Sequence, residues 1–217
     1  MHRLSIDIET FSSIPLQKSG MHKYVQNPDF QILLFAYSLD GGPVEIVDLT
    51  QRRLPEWLAA ALTDPTYIKH AYNAAFEIAC LSKFMGPLPA NQWRCTQLHG
   101  LYCGYPLGLE AAGRALGLPE DKQKLSSGKY LIRYFCVPCA PSTANGGRTR
   151  NLPHHDPARW ELFNQYCVGD VVTEMEVLRR LSNFPVPDMI QRHAARRCPS
   201  LPRHWAFWWT STQPTRR

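Results

Sequence analysis

Apolar and polar residues alternate after Leu4 through residue 9, the two-residue period of a strand with one buried face. A polar connection follows. Residues 31–39, rich in β-branched and aromatic side chains, predict a buried second strand. Asp40-Gly41-Gly42 is a hairpin signal, and residues 43–49 alternate as its partner. Pro55 suits the first turn of a helix that ends near Asp64-Pro65, and residues 66–73 read as a further strand turning at Asn73. From Ala74 the apolar positions Phe76, Ile78, Ala79, Leu81 and Phe84 recur at helical spacing. Residues 95–104 and 107–118 read as helices, the second closed by Gly117, and Lys122 to Tyr134 is polar and then helical again. The Pro-, Gly-, Ser-, Thr- and Asn-rich stretch 136–153 predicts a long loop. Asp156-Pro157 opens a helical run over 158–181, ended by Phe184-Pro185-Val186-Pro187. Strands and helices mixed in this order predict one α/β domain over residues 1–187.

Past Pro187 the pattern dissolves. Residues 188–217 show no sustained periodicity and crowd arginine, tryptophan, proline and serine together, as in an arbitrary reading frame or a disordered tail. This segment also accounts for most of the charge. The chain carries +6, but residues 183–217 hold six arginines and one acid, which leaves the preceding 182 residues nearly neutral. Whole-chain charge therefore says little about the ligand. There is no cationic leader followed by an apolar stretch, and no run approaches the ~20 apolar residues of a membrane span, so a cytoplasmic protein is expected. Its seven cysteines are then most simply free thiols.

Three acidic motifs carry the candidate chemistry. Asp7 and Glu9, two apart on a strand, project from one face. Two carboxylates so placed repel each other unless a cation sits between them, and hard oxygen donors suit Mg²⁺ or Mn²⁺. Asn73 to Glu77 places a third carboxylate in the first turn of a helix, where the macrodipole favours an anion, with Phe76 as an anchor. Tyr166 and Asp170, four apart on the last helix, set a phenol beside a carboxylate on one face. Each motif alone has an ordinary reading: an acidic strand face, a helix start, an exposed helical pair. Their combination and order are far more specific.

In that order, Asp7-x-Glu9, Asn73-x-x-Phe76-Glu77 and Tyr166-x-x-x-Asp170 resemble the tyrosine branch of the DEDD exonuclease superfamily. The run about 3–188 is similar in particular to the proofreading domain of phage-type family A DNA polymerases, a likeness also carried by residues 119–124 and 144–151. The resemblance implies a ribonuclease-H-like fold, a mixed sheet flanked by helices, and 3′→5′ hydrolysis of DNA, single-stranded by preference, with two Mg²⁺ or Mn²⁺ ions. It implies that Asp7 bridges both ions, that Glu9 and Asp170 complete one site, that Glu77 holds the other ion through water, and that Tyr166 orients the attacking water. In that family a polymerase domain follows, for which this chain is too short. Two departures stand out: Glu77 replaces the usual Asp, and Gly169 is expected to loosen the helix that carries Asp170. An RNA 3′ exonuclease and a catalytically silent nucleic-acid-binding scaffold are the alternatives.

Thr10, Asn73, Phe76, Arg148 and Arg150 are candidate contacts to the nucleic acid, the two arginines lying in a flexible cationic loop. Lys122 and Lys124 are weaker candidates of the same kind. Cys136-x-x-Cys139 with His154 and His155 invites a zinc reading, but lacks a second cysteine pair; an ordinary loop with buried thiols is the expectation. His70 is expected to be a satisfied strand histidine, and the tryptophans at 205–209 part of the irregular tail.

Overall fold

A computed structural model describes residues 1–119, 128–188 and 190–191. Lys122, Lys124, most of the 119–124 motif and the tryptophan cluster of the tail lie outside the described residues.

The first strand, β1 (His2–Phe11), runs through the middle of a five-stranded sheet. On one side it pairs antiparallel with β2 (Gln31–Leu39), which pairs antiparallel with β3 (Glu45–Asp48). On the other it pairs in parallel with β4 (Tyr67–Ala71), which pairs in parallel with β5 (Trp93–Cys95). The sheet is therefore mixed, with strand order β3-β2-β1-β4-β5. The β2–β3 hairpin turns at Asp40 and Gly41, both at positive φ (53° and 78°), the conformation that matches the twist of the flanking strands. Gly42 N–H donates back to Leu39 O at 2.9 Å.

Helices cover both faces, as the sequence predicts for an α/β domain. On one face α1 (Leu16–Gln26), α2 (Glu56–Ala61) and α3 (Ala74–Met85) pack on Leu4, Ile6, Ile8, Phe35, Tyr37 and Val47. On the other, α6 (Gly128–Phe135) and α7 (Pro157–Leu181) cover Phe11, Leu34 and Ala36. Between these groups in sequence come α4 (Thr96–Tyr102) and α5 (Leu109–Ala115).

Two elements depart from the sequence reading. Residues 10–30, read as a connection, contain α1, interrupted by non-helical Gly20 (φ 77°, ψ 161°). That break and the mostly polar sequence hide it; packing on α3 stabilises it, with Lys83 Nζ donating to the carbonyls of Val25 and Asn27 at 2.8 and 2.7 Å. The three-residue strand β5 is too short to show a period, and follows from its register beside β4. The last helix behaves as read. Asp156 accepts from Arg159 N–H at 3.0 Å, Pro157 occupies the first turn, and 25 residues then run without a break.

Candidate active site

Strand alternation divides β1 between two jobs. Leu4, Ile6 and Ile8 enter the core beneath α3, while Asp7 and Glu9, opposite Ala36 and Leu34, face α7. On α7 a stripe at four-residue spacing, Tyr166, Asp170 and Glu174, is buried against that face. Oxygen atoms of Asp7, Glu9 and Asp170 lie within 4.8 Å of one another. Residues from opposite ends of the described fold thus form one acidic cluster, the only such group of potential metal ligands among the described residues.

Gly169 does not loosen its helix. α7 passes through it unbroken, and the Thr173 hydroxyl donates to the Gly169 carbonyl at 2.8 Å. Tertiary packing overrides the weak propensity of one glycine.

Glu77, in the first turn of α3, is buried but stands outside the tight group. Burial, and then the charge of Asp7, push its carboxyl well above the usual carboxylate range. Its Oε2 has no hydrogen-bond partner among the described residues. Tyr166 is 1% exposed. Burial first, then the charges of Asp170, Glu9 and Asp7, raise its phenol far above the ordinary value, and the phenol hydrogen-bonds Asp170.

The candidate nucleic-acid contacts fare unequally. Arg150 stacks its guanidinium 3.7 Å from the centre of the Phe11 ring, two residues beyond Glu9, and donates to Gln31 Oε1 at 2.8 Å. Its buried Nε has no partner among the described residues. Arg148 instead ties its own loop together, donating to Asn145 O at 3.1 Å and Asn151 Oδ1 at 2.8 Å. Thr10 is buried, its hydroxyl 2.9 Å from that of Tyr24. Asn73 precedes α3 without capping it through its side chain, and Phe76 is half-buried against Tyr24.

The cysteines and histidines of the zinc reading do not assemble. Cys136 turns its thiol toward Glu9 Oε2 (3.8 Å), Cys139 donates to Arg148 O (3.4 Å), and His155 Nδ1 accepts from Leu152 N–H (2.8 Å). His70 is a correction. Its Nδ1 is buried with no partner among the described residues, and burial lowers the imidazole to about 3, so it is a neutral and incompletely satisfied strand histidine.

Several groups around the acids escape sequence reasoning. Cys167 Sγ–H donates to Asp7 Oδ2 at 3.6 Å, so two thiols, raised by burial and held protonated, face the carboxylates. Glu174 is 2% exposed and receives hydrogen bonds from the hydroxyls of Thr96 and Ser5. The spacing Tyr166–Asp170–Glu174 is a readable signal for it; nothing in the sequence marks Thr96 or Ser5.

No protein-family model matches the chain. Among curated proteins it is similar to a DNA polymerase of Bacillus phage SP02, 51% identical over 187 residues, which make up 85% of this chain and 28% of that polymerase. The chain thus spans little more than a quarter of that relative's length. Among solved structures it resembles Trypanosoma brucei RNase D in complex with RNA U12, with a TM-score of 0.58, 18% identity, and coverage of 90% of this chain and 61% of that one. It also resembles Escherichia coli RNase D, an exoribonuclease involved in structured RNA processing, with a TM-score of 0.52, 14% identity, and coverage of 96% and 48%. At these identities the likeness establishes the fold alone, a ribonuclease-H-like mixed sheet flanked by helices.

Proposed function

We propose that the chain is a divalent-metal-dependent 3′→5′ exonuclease acting on DNA, and that it corresponds to a proofreading module. One observation carries the proposal: Asp7, Glu9 and Asp170 present oxygens within 4.8 Å of one another from a central strand and a long helix. The donor set fits Mg²⁺ or Mn²⁺, being all hard oxygen. In this reading Asp7, Glu9 and Asp170 hold one ion, and Glu77, whose buried Oε2 lacks a partner among the described residues, helps to hold a second beside Asp7. Ions bound there would stabilise negative charge on the attacking and leaving oxygens of a phosphodiester. The protein's own residues do the rest. Tyr166, its hydroxyl held protonated by burial and donating to Asp170, offers the oxygen of that hydroxyl to orient a water. Arg150, stacked on Phe11 just beyond Glu9, is the cation that in this reading would meet a backbone phosphate. Asn73 and Phe76, at the entry to α3, are the proposed contacts to the nucleic acid there.

DNA is favoured over RNA by the weight of the two likenesses. The relative named as a DNA polymerase is 51% identical, whereas the ribonucleases share 14–18% of their residues.

The test is digestion of 5′-labelled and 3′-labelled single-stranded DNA and RNA with Mg²⁺ or Mn²⁺. The expected result is progressive shortening of 5′-labelled DNA, immediate release of a 3′ label, and loss of both in Asp7→Ala. Digestion that persists in that variant, or without a divalent ion, removes the proposal. An inert wild type that still binds oligonucleotides selects the scaffold reading, and faster turnover of RNA selects the ribonuclease.

A further inference from the structure

Gly128 opens α6, and its φ is not among the positive values that require glycine. Glycine is also a poor helix former. Main-chain geometry therefore gives no reason for it. The reason lies across the interface with α7. A β-carbon built on Gly128 overlaps Cε2 and Cζ of Tyr166 and stands only 2.6 Å from Cδ2. Non-bonded carbons settle at about 3.5–4.0 Å. Among the described residues, no other glycine's added β-carbon comes within 3.0 Å of a neighbour.

The Tyr166 ring has no room to yield. It stacks on Phe163, with centroids 6.2 Å apart and planes 7° from parallel, and it is 1% exposed. Its phenol is hydrogen-bonded to Asp170. One edge of the ring thus rests on bare main chain at Gly128, the ring is stacked on Phe163, and the hydroxyl reaches Asp170.

We infer that Gly128 is a positioning residue: its bare main chain is the seat that fixes the Tyr166 phenol at Asp170. The catalytic consequence rests on the proposed role of Tyr166. Any side chain at 128 must push the ring away from the seat or lift α6 off α7, and either movement carries the hydroxyl from Asp170. The contacts that define this seat run from Gly128 through the Tyr166 ring to Phe163 and Asp170, none of which is a proposed contact to the nucleic acid. The defect should therefore fall on turnover and leave substrate binding alone.

The test uses the full 217-residue chain in five forms beside the wild type: Gly128→Ala, Tyr166→Phe, Tyr166→Ala, and the doubles Gly128→Ala/Tyr166→Phe and Gly128→Ala/Tyr166→Ala. Thermal unfolding comes first. Gly128→Ala should lower the Tm while the ring is present, and should leave it unchanged or raised with Tyr166→Ala, where the ring has vacated the space. Turnover of 5′-labelled single-stranded DNA with Mn²⁺ is the second readout. Gly128→Ala should lower kcat by about 100-fold with KM unchanged. It should lower kcat no further when added to Tyr166→Phe, because both changes act through one hydroxyl. An equal loss of Tm with and without the ring overturns the inference, as does Gly128→Ala with wild-type Tm and kcat. If the wild type digests nothing, the nuclease reading fails, and the unfolding cycle still decides whether Gly128 seats the ring.

Discussion

Glu174 offers a way to measure what it costs this fold to bury acids together. It lies one turn beyond Asp170 on α7, 2% exposed, with its Oε2 unpartnered among the described residues. Burial lifts its carboxyl from the ordinary 4.5 to about 7, against the opposing pull of the Thr96 and Ser5 hydroxyls. The folded state therefore binds its proton more tightly than the unfolded chain does. The resulting stability is fully present below pH 4.5 and is lost as the pH rises to about 7, where the folded protein must ionise a buried group. That window spans about 2.5 pH units at 1.36 kcal/mol per unit, or about 3 kcal/mol.

Glu174→Gln keeps an oxygen for Thr96 and has no charge at any pH. Metal must be absent for the comparison, since bound cations would hold the neighbouring carboxylates ionised. Urea unfolding in chelator, followed by tryptophan fluorescence from pH 4.5 to 8, should show the wild type losing about 3 kcal/mol more than the variant across that range. Above pH 7 Glu174→Gln should be the more stable protein. Glu77 feels the charge of Glu174, so relieving that repulsion moves the difference further in the same direction. Parallel pH profiles for the two proteins would refute the reasoning, because they would mean that Glu174 ionises as easily in the folded protein as in the unfolded chain.

Gly169→Ala should raise stability by about 0.5–1 kcal/mol in urea unfolding, because an added β-carbon meets nothing within 4 Å and α7 is already continuous there. A loss of stability would show that the helix needs freedom at this point. Lys69 is fully buried and donates to Asp64 O, Tyr67 O and Gln92 Oε1, so Lys69→Met should cost about 3 kcal/mol or more by leaving three acceptors unmet. A urea midpoint equal to that of the wild type would mean that water replaces the ammonium there. Millimolar Mn²⁺ should raise the Tm of the wild type and leave that of Asp7→Ala unchanged, while Asp7→Ala in chelator should be the more stable of the two at pH 8. A matching Tm rise in both proteins would place the binding elsewhere.

Local periodicity made most of this architecture readable. The alternation around Asp7 and Glu9 put both acids on one face, and the helical spacing of Tyr166 and Asp170 put phenol and carboxylate side by side. What sequence could not supply was the distance between those elements. That α7 lies over β1 with its stripe aligned to Ser5, Asp7 and Glu9 is a result of tertiary packing, and so are the thiols of Cys136 and Cys167 against the acids. Arg148 and Arg150 show the same limit. Two similar residues in one cationic loop differ completely in use, one tying the loop and one stacked on Phe11, because the difference lies in partners far away in the chain. The helix α1 was missed for a related reason, its stability coming from α3 rather than from its own sequence.

These packing relations also explain why the acids can be held together at all. Asp7, Glu9, Glu77, Asp170 and Glu174 come from three elements, so each could move apart from the rest if the elements slid. Sliding is resisted by the apolar side chains that flank the acids: Leu34, Ala36, Phe163 and Val171 on the α7 face, and Ile6, Ile8, Ile78 and Ala79 beneath α3. Thiols and hydroxyls soften the repulsion without cancelling it, for they donate hydrogen bonds but bring no positive charge. The hydrophobic core therefore holds these carboxylates closer together than their charges favour, and divalent cations would relieve that strain. Stability and metal affinity should thus be linked through the same residues: a substitution that neutralises one acid should stabilise the metal-free fold and weaken its response to Mn²⁺ together.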